Sequence, residues 1–456
     1  MQPTSNTPKK YFFKTVLISL LIAWAMVAAG FGPAFGAVSK VATRLELDRK
    51  VLPAGGPQTA VLKVSLDAPP PRKTDNRPAV NLCLVLDRSG SMKGSKLKKA
   101  KEAAIEAIRR LGRNDIFSVV FYDHQVNTVV PAQAAGGFDR IADRIRNVQS
   151  GGRTALFAGV SQGAAEIRKN IEGSYVHRII LLSDGLANVG PSAPSDLGRL
   201  GAALIKENIS VTTIGVGTDY NEDLMTRLSQ GSDGNTYFVE SSRDLPRIFT
   251  AELGDVLSVV ARKVHLTIQC EEGIRPIKII GREGRIQGTR VTLSFNQLYG
   301  SQAKYALIEV SLPAGSDGQT MAVASAQVIY ENPYSQATEQ TSGQLETRFS
   351  SDVAEVKKGA NVAVQKDVQL NMHAIAQEEA IEFSDKGKTE AAVQALTESA
   401  RKLKSYATTY GDKELEQKAV KVEQQAAKIK KQGMSSRSRK SLRTDSYQIK
   451  NQQKQK

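Results

Sequence analysis

Asp87, Ser89 and Ser91 place three oxygen side chains at alternate positions, directly after the apolar run Asn81 to Leu86. That alternation lets the three oxygens converge from one short turn, with Gly90 relaxing the backbone between the serines. Two more oxygens stand in comparable settings far along the chain. Thr154 ends Gly151-Gly152-Arg153-Thr154 just before a helical segment, and Asp184 sits in Ser183-Asp184-Gly185 just after a second apolar run. Five oxygens with no imidazole and no thiolate describe a site for a hard divalent cation. Mg²⁺ prefers six oxygens and keeps several waters, so two carboxylates and three hydroxyls suffice; Mn²⁺ and Ca²⁺ remain alternatives. Neutral hydroxyl ligands leave such an ion electrophilic, and an open position on it suits an Asp or Glu carboxylate from a protein partner. Arg88, Lys93 and Arg153 lie beside these residues and are expected to bias the rim towards acidic ligands.

The elements that must position these residues follow from hydrophobic spacing. Continuous apolar runs at Asn81–Leu86, Ile116–Tyr122, His177–Leu182 and Ser210–Val216 predict central strands covered on both faces. Three-and-four spacing predicts helices over Lys96–Leu111, Phe138–Val148, Ala155–Lys169, Asp196–Glu207 and Asp244–Leu257, with a short strand at Thr236–Val239. Strands alternating with helices predict an α/β unit over residues 79–260 with a doubly wound, mostly parallel sheet. Ligands of such sheets bind beyond the carboxyl ends of the strands, where the segments bearing Asp87 and Asp184 end. Period-two alternation before residue 68 and again from 263 to 350 predicts antiparallel β structure. The early strands, within 37–72, have no partners of their own, so the α/β unit is expected to be inserted within one β domain. Residues 352–432 are rich in Ala, Glu, Lys and Gln and predict helical hairpins, and residues 433–456 read as a basic disordered tail.

This constellation resembles the von Willebrand factor type A domain and its metal-ion-dependent adhesion site, in which Asp-x-Ser-x-Ser is followed by a Thr and then an Asp. A lone Asp-x-Ser-x-Ser arises by chance; with Thr154 and Leu181-Leu182-Ser183-Asp184-Gly185 at strand ends it is specific. The resemblance covers about residues 79–260. It implies that Ser89, Ser91 and Thr154 coordinate Mg²⁺ directly, that Asp87 and Asp184 hold its waters, and that a partner donates an acidic group. The flanking segments are similar to those of exported bacterial proteins related to inter-alpha-trypsin inhibitor heavy chains. The implied function is extracytoplasmic adhesion or assembly through metal-dependent protein binding, without catalysis. Alternatives are a metal-dependent phosphotransferase or hydrolase, and a structural envelope protein that works without metal. Haloacid-dehalogenase-like phosphotransferases also place an Asp at the first strand end, but need a second Asp two residues on, where this chain has Ser89. There is no His-Glu-x-x-His, and the string Gly159-Val160-Ser161-Gln162-Gly163 falls inside the helical segment Ala155–Lys169 rather than at the strand-to-helix elbow that a nucleophilic serine needs.

Composition bounds the remaining possibilities. The 456 residues are 41% hydrophobic and 24% charged, enough to bury several cores. The net charge of +16 is concentrated in the tail, from Lys428 to Lys456, where Asp445 is the sole acid. That pattern reads as a solvated segment or a contact with anionic membrane or polymer rather than as a nucleic-acid footprint. Lys9, Lys10 and Lys14 precede an apolar core from Val16 to Ala29, and small residues follow before Ala37. This is the order of a secretory signal over residues 1–36, or of an uncleaved N-terminal anchor. The chain is therefore expected to be exported, to the periplasm or beyond. Two cysteines, Cys83 and Cys270, exclude a disulfide framework and leave a single bridge open.

Overall fold

The computed structural model describes residues 40–71, 77–172 and 174–453. The proposed signal or anchor at 1–36 lies outside the described residues. The chain begins with β1 (Ala42–Leu47), β2 (Val51–Pro53) and β3 (Gln58–Asp67). The α/β unit follows: β4 (Val80–Asp87), α1 (Ser95–Arg109), β5 (Ile116–Tyr122), β6 (Val126–Ala134), α2 (Phe138–Arg146), α3 (Leu156–Arg168), β7 (Val176–Ser183), α4 (Pro194–Leu204), β8 (Ile209–Val216), α5 (Glu222–Gly231), β9 (Thr236–Val239) and α6 (Leu245–Val256). Its sheet runs β6-β5-β4-β7-β8-β9, parallel throughout except for β6. Alternate residues of β4 serve the two faces. Leu82, Leu84 and Leu86 pack with α1, α2 and α6, whereas Cys83 and Val85 pack with α3, α4 and α5. Every residue of β4, β7 and β8 is buried, which is why these strands show no alternation in sequence. Two elements escaped the sequence reading. Strand β6 is an edge strand with mixed burial and Pro131 within it, and α5 is a short helix capped by Asn221.

The chain then forms β10 (Val259–Cys270), β11 (Arg275–Ile280), β12 (Arg285–Gln287), β13 (Arg290–Tyr299), β14 (Ala303–Leu312), β15 (Thr320–Glu331) and β16 (Thr338–Ser350). The early strands join these later ones. Strand β3 pairs with β14 from Gln58↔Leu312 to Asp67↔Ala303, and β2 pairs with β16. The α/β unit is thus inserted in a β sandwich whose two sheets, β1-β3-β14-β11 and β12-β13-β10-β15-β16-β2, share one core. The insertion is fastened by Arg178 at the start of β7, which is fully buried. Its guanidinium donates to Gln297 Oε1 at 2.6 Å and Tyr299 Oη at 2.6 Å on β13, and to Thr212 Oγ1 at 3.0 Å, with Glu252 of α6 at 3.5 Å. Cys83 and Cys270 are buried free thiols.

The C-terminal part consists of α7 (Val353–Lys358), α8 (Val362–Asp385), α9 (Thr389–Tyr410), α10 (Lys413–Gln432) and α11 (Ser436–Lys450). Among the described residues no helix is long and apolar enough to cross a membrane. Helix α11 corrects, over Ser436–Lys450, the expectation of a disordered tail at 433–456. The acids absent from that stretch come from elsewhere in the fold. Arg437 pairs with Glu240, Arg439 with Glu222, Asp223 and Asp385, Lys440 with Glu222, Arg443 with Asp223, and Lys450 with Glu378. These cations are therefore engaged within the chain rather than free for an anionic membrane or polymer. The same helix closes the edge of β9: Tyr447 Oη donates to Gly234 O, and the Gln453 amide bonds both the N–H and the C=O of Thr236, at 3.0 and 3.1 Å. Lys440 is the most deeply placed of these cations, 4% exposed, with its ammonium 2.7 Å from Glu222 and over the Tyr220 ring. Lys440→Ala is expected to destabilise the protein by about 2–4 kcal/mol because it weakens a buried ion pair. Lys430→Ala, at an exposed position of α10, should change stability by less than about 0.5 kcal/mol; urea unfolding of the two variants checks the contrast.

Candidate functional site

Strands β4 and β7 are parallel neighbours, so their carboxyl ends bring Asp87 and Ser183-Asp184 to one edge of the sheet. Asp87 is fully buried. Its Oδ1 accepts the Ser89 N–H at 2.8 Å, which shapes the turn, and its Oδ2 accepts from Ser183 Oγ at 2.8 Å. Burial pushes its carboxyl up to about 6, with the bonds from Ser89 and Ser183 pulling the other way and the Asp184 charge adding to the rise. After Ser89 the chain makes a single 3₁₀ turn, Gly90–Met92, and enters α1. The loop bearing Thr154 is tied to this turn, since Gly90 N donates to Gly152 O at 3.1 Å and Gly151 N to Arg88 O at 2.9 Å. Gly152 has φ +76°, and a Cβ there would overlap the His124 ring, so the loop needs glycine at that point. Asn188 connects the third loop: its Oδ1 accepts from Thr154 N at 2.9 Å, and its own N–H donates to Thr154 O.

The five predicted residues come together. Ser91 Oγ donates to Asp184 Oδ1 at 2.7 Å and lies 3.1 Å from Ser89 Oγ. The space in front of Gly185 shows the convergence. A Cβ built on that glycine would lie 3.1 Å from Ser91 Oγ, 3.4 Å from Thr154 Oγ1 and 4.0 Å from Ser89 Oγ. Three hydroxyls thus lie within 4.0 Å of the position that a Gly185 side chain would take. The donor set is two carboxylates and three hydroxyls; among the described residues no three His, Cys, Asp or Glu side chains gather as a softer metal site requires. These oxygens fit a hard divalent cation.

Three residues at the site were not singled out from sequence. Ser183 holds Asp87, Asn188 fixes the Thr154 loop, and Lys96 reaches Asp184, its Nζ 2.5 Å from Oδ2. Lys96 lies in the first turn of α1, and its place directly after the Asp-Ser-Ser turn was the available signal. The rim also differs from expectation. Arg88 is only 17% exposed and lies 3.2 Å from Asp123, so it is not a free rim charge. Lys93 and Arg153 are exposed.

A serine, a histidine and an aspartate do meet elsewhere, in the helical part. Ser399 Oγ lies 2.9 Å from His373 Nδ1, and Asp445 is 3.9 Å from Nε2. Ser399 and His373 are buried, and Asp445 is also held by Lys418 and Gln377, so this cluster joins α8, α9, α10 and α11 as a structural knot. Burial, reinforced by the Lys418 charge, holds His373 down at about 4. A histidine held below its unfolded value contributes stability that is complete above about pH 6.5 and lost as pH falls towards 4. Unfolding free energy should therefore drop over that window, and His373→Gln should remove a share on the order of 2 kcal/mol of the drop, read from urea denaturation at stepped pH.

Comparison with known proteins bears on the same region. Residues 81–251 match the family model of the von Willebrand factor type A domain. An uncharacterized Synechocystis protein is 26% identical over 314 residues, covering 65% of this chain and 74% of that one. Inter-alpha-trypsin inhibitor heavy chain H2 of Mus musculus is 30% identical over 172 residues, 36% of this chain and 18% of the heavy chain. The chain thus spans less than a fifth of the heavy chain it matches. Among solved structures, a von Willebrand factor type A protein from Catenulispora acidiphila superposes with a TM-score of 0.66 at 17% identity, over 87% of this chain and 92% of its own. At that identity the likeness concerns the fold alone, and it extends well beyond residues 81–251. Residues 81–251 of this chain thus match the von Willebrand factor type A domain, and over that region the chain is similar to the inter-alpha-trypsin inhibitor heavy chains.

Proposed function

We propose that this chain is an extracytoplasmic, metal-dependent protein-binding protein of the adhesion or assembly kind. Asp87, Ser89, Ser91, Thr154 and Asp184 would hold a divalent ion, Mg²⁺ in the first instance, with Mn²⁺ or Ca²⁺ as substitutes. The bound ion would supply a Lewis-acidic position for an Asp or Glu carboxylate of the partner. The observation that carries this reading is the convergence of the Ser89, Ser91 and Thr154 hydroxyls on the space before Gly185, beside the Asp184 carboxylate. The chain's own groups prepare that space. Ser183 and the Ser89 N–H orient Asp87, while Asn188 and Gly152 hold the Thr154 loop in register. Exposed Lys93 and Arg153 favour an acidic partner surface. Binding without catalysis agrees with a donor set that supplies oxygens but no general base with an imidazole at the ion. The export reading rests on the basic, apolar, small-residue order of the first 37 residues.

Two experiments test this. Affinity capture from envelope extract should retain partners with the wild-type chain in Mg²⁺. It should lose them on adding EDTA and with Thr154→Ala, a milder change than removing the buried Asp87. The same partners captured in all three conditions would point to a metal-independent structural protein. Separately, Gly185→Ala places a methyl group among the three hydroxyls. Mn²⁺ should raise the thermal midpoint of the wild-type chain and leave that of Gly185→Ala unmoved, because only a native state that binds the ion is stabilised by it.

A further inference from the structure

Lys96 lies outside the five-residue motif, yet its ammonium is the cation that meets the site. It occupies the second position of α1, immediately downstream of the turn that presents Ser89 and Ser91. Its Nζ is 2.5 Å from Asp184 Oδ2, while the other oxygen of that carboxylate accepts from Ser91. Asp184 is fully buried, whereas the Lys96 side chain is 30% exposed, so the ammonium approaches from the solvent side on a flexible stem. Asp87, one strand away and also buried, has only neutral donors on its two oxygens, Ser89 N and Ser183 Oγ. Of these two buried acids, Asp184 alone is paired with the lysine.

We infer that Lys96 is a tethered counter-cation that opposes entry of the metal and, once the metal is in place, makes the site dependent on an incoming carboxylate. This rests on the reading of the site proposed above. The argument is one of charge. Two carboxylates and one ammonium leave the metal-free site with a single excess negative charge. A divalent ion turns that into a single excess positive charge, which one partner carboxylate cancels. Without the ammonium, the two acids and the ion already cancel, and an added carboxylate would leave the buried site negative. Like charges a few ångströms apart repel strongly where water is largely excluded. Lys96 therefore weakens metal binding and strengthens carboxylate capture. It acts as a positioning residue whose removal should move two measurements in opposite directions.

The experiment is isothermal titration of the full chain with Mn²⁺, with and without sodium acetate as the carboxylate probe. For the wild type, acetate should tighten Mn²⁺ binding, since coupling between two ligands is reciprocal. Lys96→Met keeps the apolar stem and removes the charge. It should bind Mn²⁺ about tenfold more tightly in the absence of acetate, and acetate should no longer tighten that binding. Lys96→Gln should behave as Lys96→Met does, and Lys96→Arg should restore the wild-type pattern. A purely structural lysine would instead lower the thermal midpoint of both neutral variants without raising their Mn²⁺ affinity, and that result overturns the inference. So does acetate coupling that persists in Lys96→Met. A wild-type chain that takes up no Mn²⁺ overturns the reading of the site itself, which is a different failure from a site that binds Mn²⁺ with or without Lys96.

Discussion

Two carboxylates, Asp87 and Asp184, are buried side by side at the ends of adjacent parallel strands. Burying charge is unfavourable unless it is paired or solvated by donors, and the loops at this edge are organised to meet that demand. Ser183 and the Ser89 N–H serve Asp87, and Ser91 and Lys96 serve Asp184. The 3₁₀ turn after Asp87 brings the Ser89 and Ser91 donors to these acids, and the glycine loop before α3 and the Asn188 contact bring Thr154 to the same edge. What remains is a space bordered by the Ser89, Ser91 and Thr154 hydroxyls beside the Asp184 carboxylate, a donor set that fits a hard cation.

The rest of the molecule holds that edge still. The parallel sheet is sandwiched between two helical layers, so the strands that deliver Asp87 and Asp184 have no freedom to slide. The insertion into the β sandwich is locked by Arg178, whose guanidinium bridges β7, β8 and α6 to β13 without reaching water. Removing one of these partners would leave a buried guanidinium uncompensated, so the contacts tie β7 to β13. On the far side, α11 covers the β9 edge with glutamine and tyrosine side chains and pairs its cations with acids of α5 and α8. At the site edge, Lys93 and Arg153 are exposed.

The residues that sequence alone determined are those whose chemistry is local. Asp87, Ser89 and Ser91 belong to one turn, and an apolar run long enough to be a buried strand leaves little doubt where that turn lies. Thr154 and Asp184 were legible for the same reason, each at the junction of a glycine-bearing loop with a strongly patterned element. The period-two strands before residue 68 lacked partners, and that shortage was enough to predict the insertion, which the β3–β14 pairing displays. Tertiary structure decided what depends on distant partners. The segment from Ser436 to Lys450 looks disordered as a string because its cations have almost no local acids; it is a helix because Glu222, Asp223, Glu240, Glu378 and Asp385 are brought to it. Arg88 looked like a rim charge until Asp123 was placed beside it. In the sequence Lys96 stands only as the first residue of the predicted helix Lys96–Leu111. Only the meeting of β4, β7 and α1 puts its ammonium on Asp184, because the spacing of a sequence records which groups are present but not which buried charge each of them must neutralise.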